Sequence, residues 1–507
     1  VLLYLSFPPR SLWWLAPLAF TVLGLVLHGR RGRAGFGYGL LFGLAFFLPL
    51  VYWLEAFLGA DFGSAPWLAV SLVEALFIAA SVAGMAAVRR LPGAPVWMAG
   101  LYLCGEAARS RLPLNGFPWG RVGFGQPEGP LLSLASIGGA PLVGFAVVVI
   151  GLGLAQLVLR ARGSGWRRLL APALALLLPL MAGAAVWPTV GTAAQDGTLR
   201  VAVLQGNAPN IGLRLMRASA QIRANHLRQA HALAEAIRAG RVPKPDLVVW
   251  PETSTDLGPD PATDGELAAA VADIGAPALI GARQYRSDGH TTNTVLSWDP
   301  RTGPGDRYDK RELVPFAEYV PLRAIAGWFT PFVKDTGDMV AGDRPGVFTV
   351  AGTKVGTVIC YEAAYDYASR DAVNAGAELL TVPTNNAWYG HSEMSYQQLG
   401  MSRLRAVEHG RAVLVSATSG VSAVVGPDGS VWQRTRLFTA ANLVATVPLR
   451  HARTVADRLG AWSERALCVG GLLGLVAAVG GAVRRRARVA AAQQPTPRRA
   501  PESRAPE

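Results

Sequence analysis

The sequence predicts two architectures in one chain, a multi-pass α-helical membrane bundle and an extramembrane α/β domain. Three observations predict it. A mean hydropathy of +0.28 with 51% hydrophobic residues is too apolar for a purely soluble protein of 507 residues. Seven apolar stretches, most of them near the ~20 residues that span hydrocarbon, are flanked by arginine clusters. Between residues 199 and 448 these long runs give way to short strand-like segments alternating with amphipathic helices.

The apolar stretches lie at 11–28, 35–58, 66–88, 94–108, 131–159, 169–187 and 466–483. Val1–Phe7 is apolar, too short to span, and ends at Pro8-Pro9, so it reads as the tail of a helix begun before this chain, for about eight helices in all. Arginines gather in the loops 29–34, 89–93 and 160–168 and at Arg484–Arg486. These loops follow alternate helices, so the positive-inside rule puts them in the cytoplasm and puts 59–65, 109–130 and the segment from 189 to 460 outside. The net charge of +14 and pI near 10.2 are therefore a topology signal, and no nucleic-acid partner is expected. Glu55, Glu74 and Glu106 fall within or beside apolar stretches and are expected to find structural partners, Arg109 for Glu106.

The expected domains are a transmembrane bundle at 1–188, an extracytoplasmic catalytic domain at 189–452, the last helix and its approach at 453–483, and a basic disordered cytoplasmic tail at 484–507. Strands are predicted at 199–205, 246–250, 277–283, 292–298, 354–359, 378–383, 412–417, 421–426 and 442–448. Helices are predicted at 218–239, 264–274, 364–376 and 395–409, and Pro427-Asp428-Gly429 signals a turn. About 250 residues suffice for such a domain to bury its own core.

Cys360 ends the apolar run Val355–Ile359, and the carboxyl end of a strand is where an α/β enzyme presents a nucleophile. Taken alone it reads more readily as a small core hydrophobe, which is what most free cysteines are. Upstream stand an acid and a base of suitable kind, Glu252 in Trp-Pro-Glu-Thr and Lys310 in Tyr-Asp-Lys-Arg. The other two of the three cysteines, Cys104 and Cys468, sit in apolar stretches, so no disulfide is expected and Cys360 is a free thiol. A metal centre is not expected: the seven histidines are scattered, and His226 and His231 do not share a helix face. His391 and His409 carry no local signature of a Cys-His protease.

Trp250-Pro251-Glu252-Thr253, Tyr308-Asp309-Lys310 with Leu313–Pro321, Ile359-Cys360-Tyr361-Glu362 and Asn385–Gly390 together resemble the catalytic blocks of the carbon-nitrogen hydrolase (nitrilase) superfamily. The helices on both sides, the extended Lys310 block and Gly116-Phe117-Pro118-Trp119 resemble its membrane-embedded branch, the bacterial apolipoprotein N-acyltransferases. The resemblance implies a nitrilase-like αββα sandwich for the extramembrane domain. It implies transfer of an acyl chain from a phospholipid to the α-amino group of an apolipoprotein's S-diacylglyceryl cysteine, by a ping-pong route through a Cys360 thioester. In those terms Glu252 is general base and acid, Lys310 the oxyanion stabiliser, and Glu318 a second required acid. Tyr361 and Glu362 support the nucleophile, and Trp388, Tyr389 and Trp119 contact substrate. No cofactor or metal is implied.

The expected partners are the bilayer, a phospholipid donor and a lipoprotein acceptor, with the protein acting as a monomer in the bacterial cytoplasmic membrane. Aromatics at Trp328–Phe332 suit the membrane surface. At Ile211–Arg214 the family can carry a Trp that is missing here, so no role is carried over. A membrane-anchored amidase would use the same residues on a small amide, although an anchor needs one helix. A dead transport or scaffolding protein would have no use for Glu252, Lys310 and Cys360.

Overall fold

The computed structural model describes residues 1–161, 165–209, 218–321, 323 and 338–492. The positions 211–214 and 328–332 lie outside them. Each predicted apolar stretch carries a helix: α1 (Leu15–Val26), α2 (Gly32–Leu50), α3 (Trp53–Phe62), α4 (Ala65–Val88), α5 (Ala94–Arg109), α6 (Ala135–Arg160) and α7 (Arg167–Val186). Among the described residues five helices are long and apolar enough to cross a membrane, while α1 and α5, of 12 and 16 residues, are shorter. The chain is a membrane protein.

Two local differences from expectation have physical causes. The stretch 35–58 is two helices, because the backbone leaves helical geometry at Val51 just after Pro49. The stretch 131–159 is kinked where Gly138 and Gly139 leave helical geometry, Gly139 at φ +67°. Val1–Phe7 holds one helical turn, Leu2–Leu5.

Small residues set the bundle packing. Gly35, Gly39 and Gly43 recur every four residues along one face of α2, and a Cβ added at any of them would come within 2.9 Å of α4. That stripe lets the two backbones approach closely, which gives van der Waals contact where lipid offers no hydrophobic drive. The three bundle carboxylates have partners: buried Glu74 takes Arg109 at 3.1 Å, buried Glu106 takes the Val122 amide at 2.8 Å with Arg109 at 3.8 Å, and half-buried Glu55 takes the Ser64 hydroxyl through one oxygen at 3.0 Å. Pairing is what the sequence reading expected for them.

Beyond the bundle two sheets stack face to face. The first has the order β13-β1-β2-β4-β5-β6, with β3 also against β4, and comprises β1 (Thr198–Gln205), β2 (Leu247–Val249), β3 (Thr255–Leu257), β4 (Ala278–Tyr285), β5 (Thr291–Asp299), β6 (Gly303–Asp309) and β13 (Ala441–Pro448). The second has the order β12-β11-β10-β9-β8-β7, from β7 (Gly346–Val350) and β8 (Thr353–Thr357) through β9 (Leu379–Thr384), β10 (Val413–Ala417) and β11 (Ala423–Val425) to β12 (Val431–Arg434). All nine predicted strands are present. Alternate residues of the two sheets, such as Val201, Val203 and Val249 against Val355, Leu379 and Leu414, interdigitate to form the central core.

Helices cover both outer faces, which completes an αββα sandwich. On the first sheet Ala202, Leu204 and Ile280 pack on α8 (Ser219–Arg238) and α9 (Gly265–Ile274). On the second lie α10 (Asp366–Asn374) and α11 (Met394–His409). Here Leu404 and Val407 of α11 share one apolar cluster with Val382 of the sheet and with Phe46, Trp53 and Val143 of the bundle. The outer helical layer of the sandwich is thus continuous with the membrane core. The short α12 (Val455–Leu459) leads into α13, which runs from Trp462 to Ala492, beyond the predicted end at Val483.

Candidate active site

Strand β8 stops at Thr357, and after Val358 and Ile359 the chain turns sharply at Cys360, whose φ is +51°. A non-glycine residue held there stores on the order of 1–3 kcal/mol, so the surroundings must over-determine the turn. Glu362 does this. Its buried carboxylate accepts from the Ile359 amide at 2.6 Å, the Tyr308 hydroxyl at 2.8 Å, and the Arg311 and Glu312 amides at 2.7 and 3.2 Å. Because Tyr308 and Arg311 flank Lys310, the same carboxylate ties the Cys360 turn to the end of β6. Tyr361 donates to the Gly116 carbonyl at 3.1 Å, which fixes the turn to the loop between α5 and α6.

Lys310, 1% exposed, points its ammonium between two carboxylates, 3.0 Å from Glu252 Oε1 and 3.0 Å from Glu318 Oε2. Asn293, from the middle of β5, donates through Nδ2 to both acids, to Glu252 Oε1 at 2.7 Å and Glu318 Oε1 at 2.5 Å. The second oxygen of Glu252 accepts from the Asn385 amide at 2.7 Å, and that of Glu318 from the Val314 amide at 2.7 Å. Burial disfavours the Lys310 charge, but Glu252 and Glu318 outweigh it and hold the ammonium well above its ordinary pKa.

The Cys360 thiol is buried, and burial followed by the charge of Glu252 pushes it up to about 12, against the opposing pull of Lys310. It is a neutral thiol at rest. The Glu252 carboxylate lies near enough for its charge to act on the thiol, a placement suited to taking the thiol proton.

The structure brings Glu252, Lys310, Cys360 and Glu318 together, with Tyr361 and Glu362 in the same turn. Tyr389 lies beside them, held edge-on by Trp53 and Phe57 of α3 at ring separations of 4.9 and 5.4 Å, and Trp388 meets Phe57 at 5.8 Å. Burial raises the Tyr389 phenol, which stays protonated. Trp119 sits deeper, 2% exposed, with its indole N–H on Gln397 Oε1 at 2.7 Å. Sequence reasoning missed Asn293, Asn385, Thr384 and Gln398. Asn385 stood within a recognisable block, but the other three carry no local motif. A separate cleft of about 280 Å³ lies between bundle and sandwich, lined by Arg121, Tyr365, Asp366 and Glu464 among others.

Comparison with known proteins agrees with this architecture half by half. Residues 1–153 match the apolipoprotein N-acyltransferase N-terminal domain, and residues 200–457 match the carbon-nitrogen hydrolase family. An amidase from Nesterenkonia sp. is 20% identical, overlaps 54% of this chain and 98% of its own, and superposes with a TM-score of 0.38. Fold and site define a membrane-embedded acyltransferase built on the carbon-nitrogen hydrolase sandwich. An apolipoprotein N-acyltransferase of Mycolicibacterium smegmatis is 40% identical over 94% of this chain and 83% of its own length, and one of Shewanella oneidensis is 29% identical over 92% and 91%. The chain belongs to the apolipoprotein N-acyltransferase family. The amidase alternative has less support, because these relatives match both halves.

Proposed function

We propose that the protein takes an acyl chain from a membrane phospholipid onto Cys360 as a thioester and passes it to the α-amino group of an S-diacylglyceryl cysteine at an apolipoprotein N-terminus. Glu252 accepts the thiol proton, gives it to the departing lysophospholipid oxygen, and later accepts one from the attacking amine. Lys310 stabilises the oxyanion in both half-reactions, where one fixed donor is worth roughly 3–4 kcal/mol. Glu318 holds Lys310 from the side opposite Glu252. All these groups come from one chain, so a monomer suffices. The site faces the extracytoplasmic side of the cytoplasmic membrane, consistent with the arginine-rich loops at the other end of the bundle.

The observation that carries the lipid reading is the packing of Trp53 and Phe57, from bundle helix α3, directly on Trp388 and Tyr389 beside Cys360. A small amide would not require a membrane helix at the mouth of the site. The test is incubation of the purified protein with acyl-labelled phospholipid. A hydroxylamine-sensitive adduct is expected on the wild type and not on Cys360→Ala, and a diacylglyceryl peptide should then carry the label away on its amine. Equal label on Cys360→Ala would refute the thioester, and release of free fatty acid with the peptide unlabelled would make the enzyme a hydrolase.

A further inference from the structure

Beyond the charged cluster, two uncharged side chains reach the nucleophilic sulfur. Thr384 Oγ1, at the end of β9, lies 3.1 Å from Cys360 Sγ, and Gln398 Nε2, on α11, lies 3.6 Å from it. The amide of Gln398 is oriented by its own oxygen, which accepts from Asn386 Nδ2 at 2.7 Å and lies 2.9 Å from Thr384 Oγ1. With Oε1 so engaged, its N–H end is the one that faces sulfur. Thr384, Asn386 and Gln398 are all at most 2% exposed, so water cannot substitute for any of these bonds.

A hydroxyl has one proton, and Thr384 has two acceptors within reach, the sulfur and Gln398 Oε1. We propose that Thr384 and Gln398 form a thiolate-stabilising site whose hydroxyl follows the charge on sulfur. While Cys360 is a thiol, Thr384 donates to Gln398 Oε1. When the thiol proton passes to the Glu252 carboxylate, Thr384 turns to the sulfur and Gln398 Oε1 remains satisfied by Asn386. The thiolate then has two donors, and no bond other than S–H is broken. The same pair acts again when the thioester is cleaved and sulfur leaves as thiolate. Among the influences on the thiol, the Thr384 hydrogen bond is one that favours the charged form, against the dominant effect of burial.

The neighbouring residue gives an internal control. Gln397, one position earlier on α11, turns toward the bundle: its Oε1 accepts from Trp119 at 2.7 Å and Trp53 at 3.3 Å, and its Nε2 donates to the Leu50 carbonyl at 3.1 Å. Adjacent glutamines thus separate packing from chemistry.

The inference rests on Cys360 as nucleophile, but its test does not need acyl transfer. Alkylation of Cys360 by iodoacetamide, followed by peptide mass spectrometry on the full-length protein in detergent, is measured from pH 6 to 11. Thr384→Val and Gln398→Leu are each expected to slow alkylation at pH 8 by about 10–100-fold and to displace the rising rate–pH profile to higher pH, the effect of losing a hydrogen bond to a charged group. Thr384→Ser should recover most of the rate, and Gln397→Leu should keep the wild-type profile. Profiles for Thr384→Val and Gln398→Leu that superimpose on wild type would overturn the proposal, even if acyl transfer falls. The nearly isosteric Thr384→Val decides the matter alone if Gln398→Leu fails to fold. Shifted profiles in a protein that forms no acyl adduct would refute the acyl-transfer reading and leave this one standing.

Discussion

Two clusters of buried charge stand at opposite ends of one short segment, and they are put to opposite uses. At Cys360, one ammonium lies between two carboxylates beside a neutral thiol. At Asp366, six residues on, Arg121 from the loop between α5 and α6 binds Asp366 at 2.7 Å and Glu464 of α13 at 3.4 Å. Arg405 of α11 binds Asp366 at 2.8 Å, pairs with Glu408, and donates to the carbonyls of Ala363 and Ala364 at 2.9 and 3.0 Å. Burial opposes the charge on Asp366, but Arg121 and Arg405 hold it well below the carboxylate range. The second cluster joins loop, sandwich and last helix through ions whose partners are all fixed. The first has a proton that can move. Burial strengthens the attraction within both while penalising each charge alone, and what separates a joint from a site is whether one member can change its charge.

The sharpest way to break this contrast is to remove the central cation from each. Lys310→Met leaves Glu252 and Glu318 facing one another and removes the oxyanion partner, so acyl-adduct formation should fall about 100–1000-fold. Rapid-quench measurement of label on Cys360 checks this, and a fall below tenfold would mean that the ammonium is structural. Arg121→Met leaves Asp366 with Arg405 and Glu464 with Arg111 as their remaining cations, and breaking a buried pair from one side costs up to about 3–5 kcal/mol. Denaturant unfolding in detergent should show that loss while the rate–pH profile for alkylation of Cys360 stays where it is. A displaced profile would show that the two clusters are electrically coupled.

His226 extends the comparison to a buried titratable group with no counter-charge. Its Nδ1 lies 2.7 Å from the Ile222 carbonyl, its Nε2 is sealed without a partner, and burial lowers its pKa from 6.5 to about 4. Between those values the unfolded chain binds a proton that the folded chain refuses. Its stabilising effect is therefore complete above pH 6.5 and lost as the pH falls toward 4, by about 3 kcal/mol. Unfolding measured across that window should show the slope, and His226→Gln should flatten it.

Much of this was legible in the sequence, for identifiable reasons. Glu252, Lys310, Glu318 and Cys360 stand at strand ends or in block-like loops, where local spelling and position coincide. Asn293 was not legible: it lies mid-strand in β5, opposite Arg283, and meets the two acids only through sheet register. Thr384 and Gln398 converge on sulfur from a strand and a helix, a juxtaposition that no short motif encodes. Strand β6 was missed because Gly303-Pro304-Gly305 reads as a turn, yet the strand is an edge, where proline is tolerated. The break at Val51 was hidden because apolar composition continues across it while helical geometry does not.

The strands that begin and end the sandwich pair with each other along their full length, from Thr198 opposite Pro448 to Gln205 opposite Ala441. The polypeptide therefore leaves the sandwich beside the point at which it enters, as in domains that tolerate insertion into a host loop. The sandwich is thus set between α7 and α13 with its two ends side by side. In biosynthetic terms β13, the last strand made, completes the edge of the first sheet, so the last membrane helix emerges only after every strand of the sandwich has been synthesised.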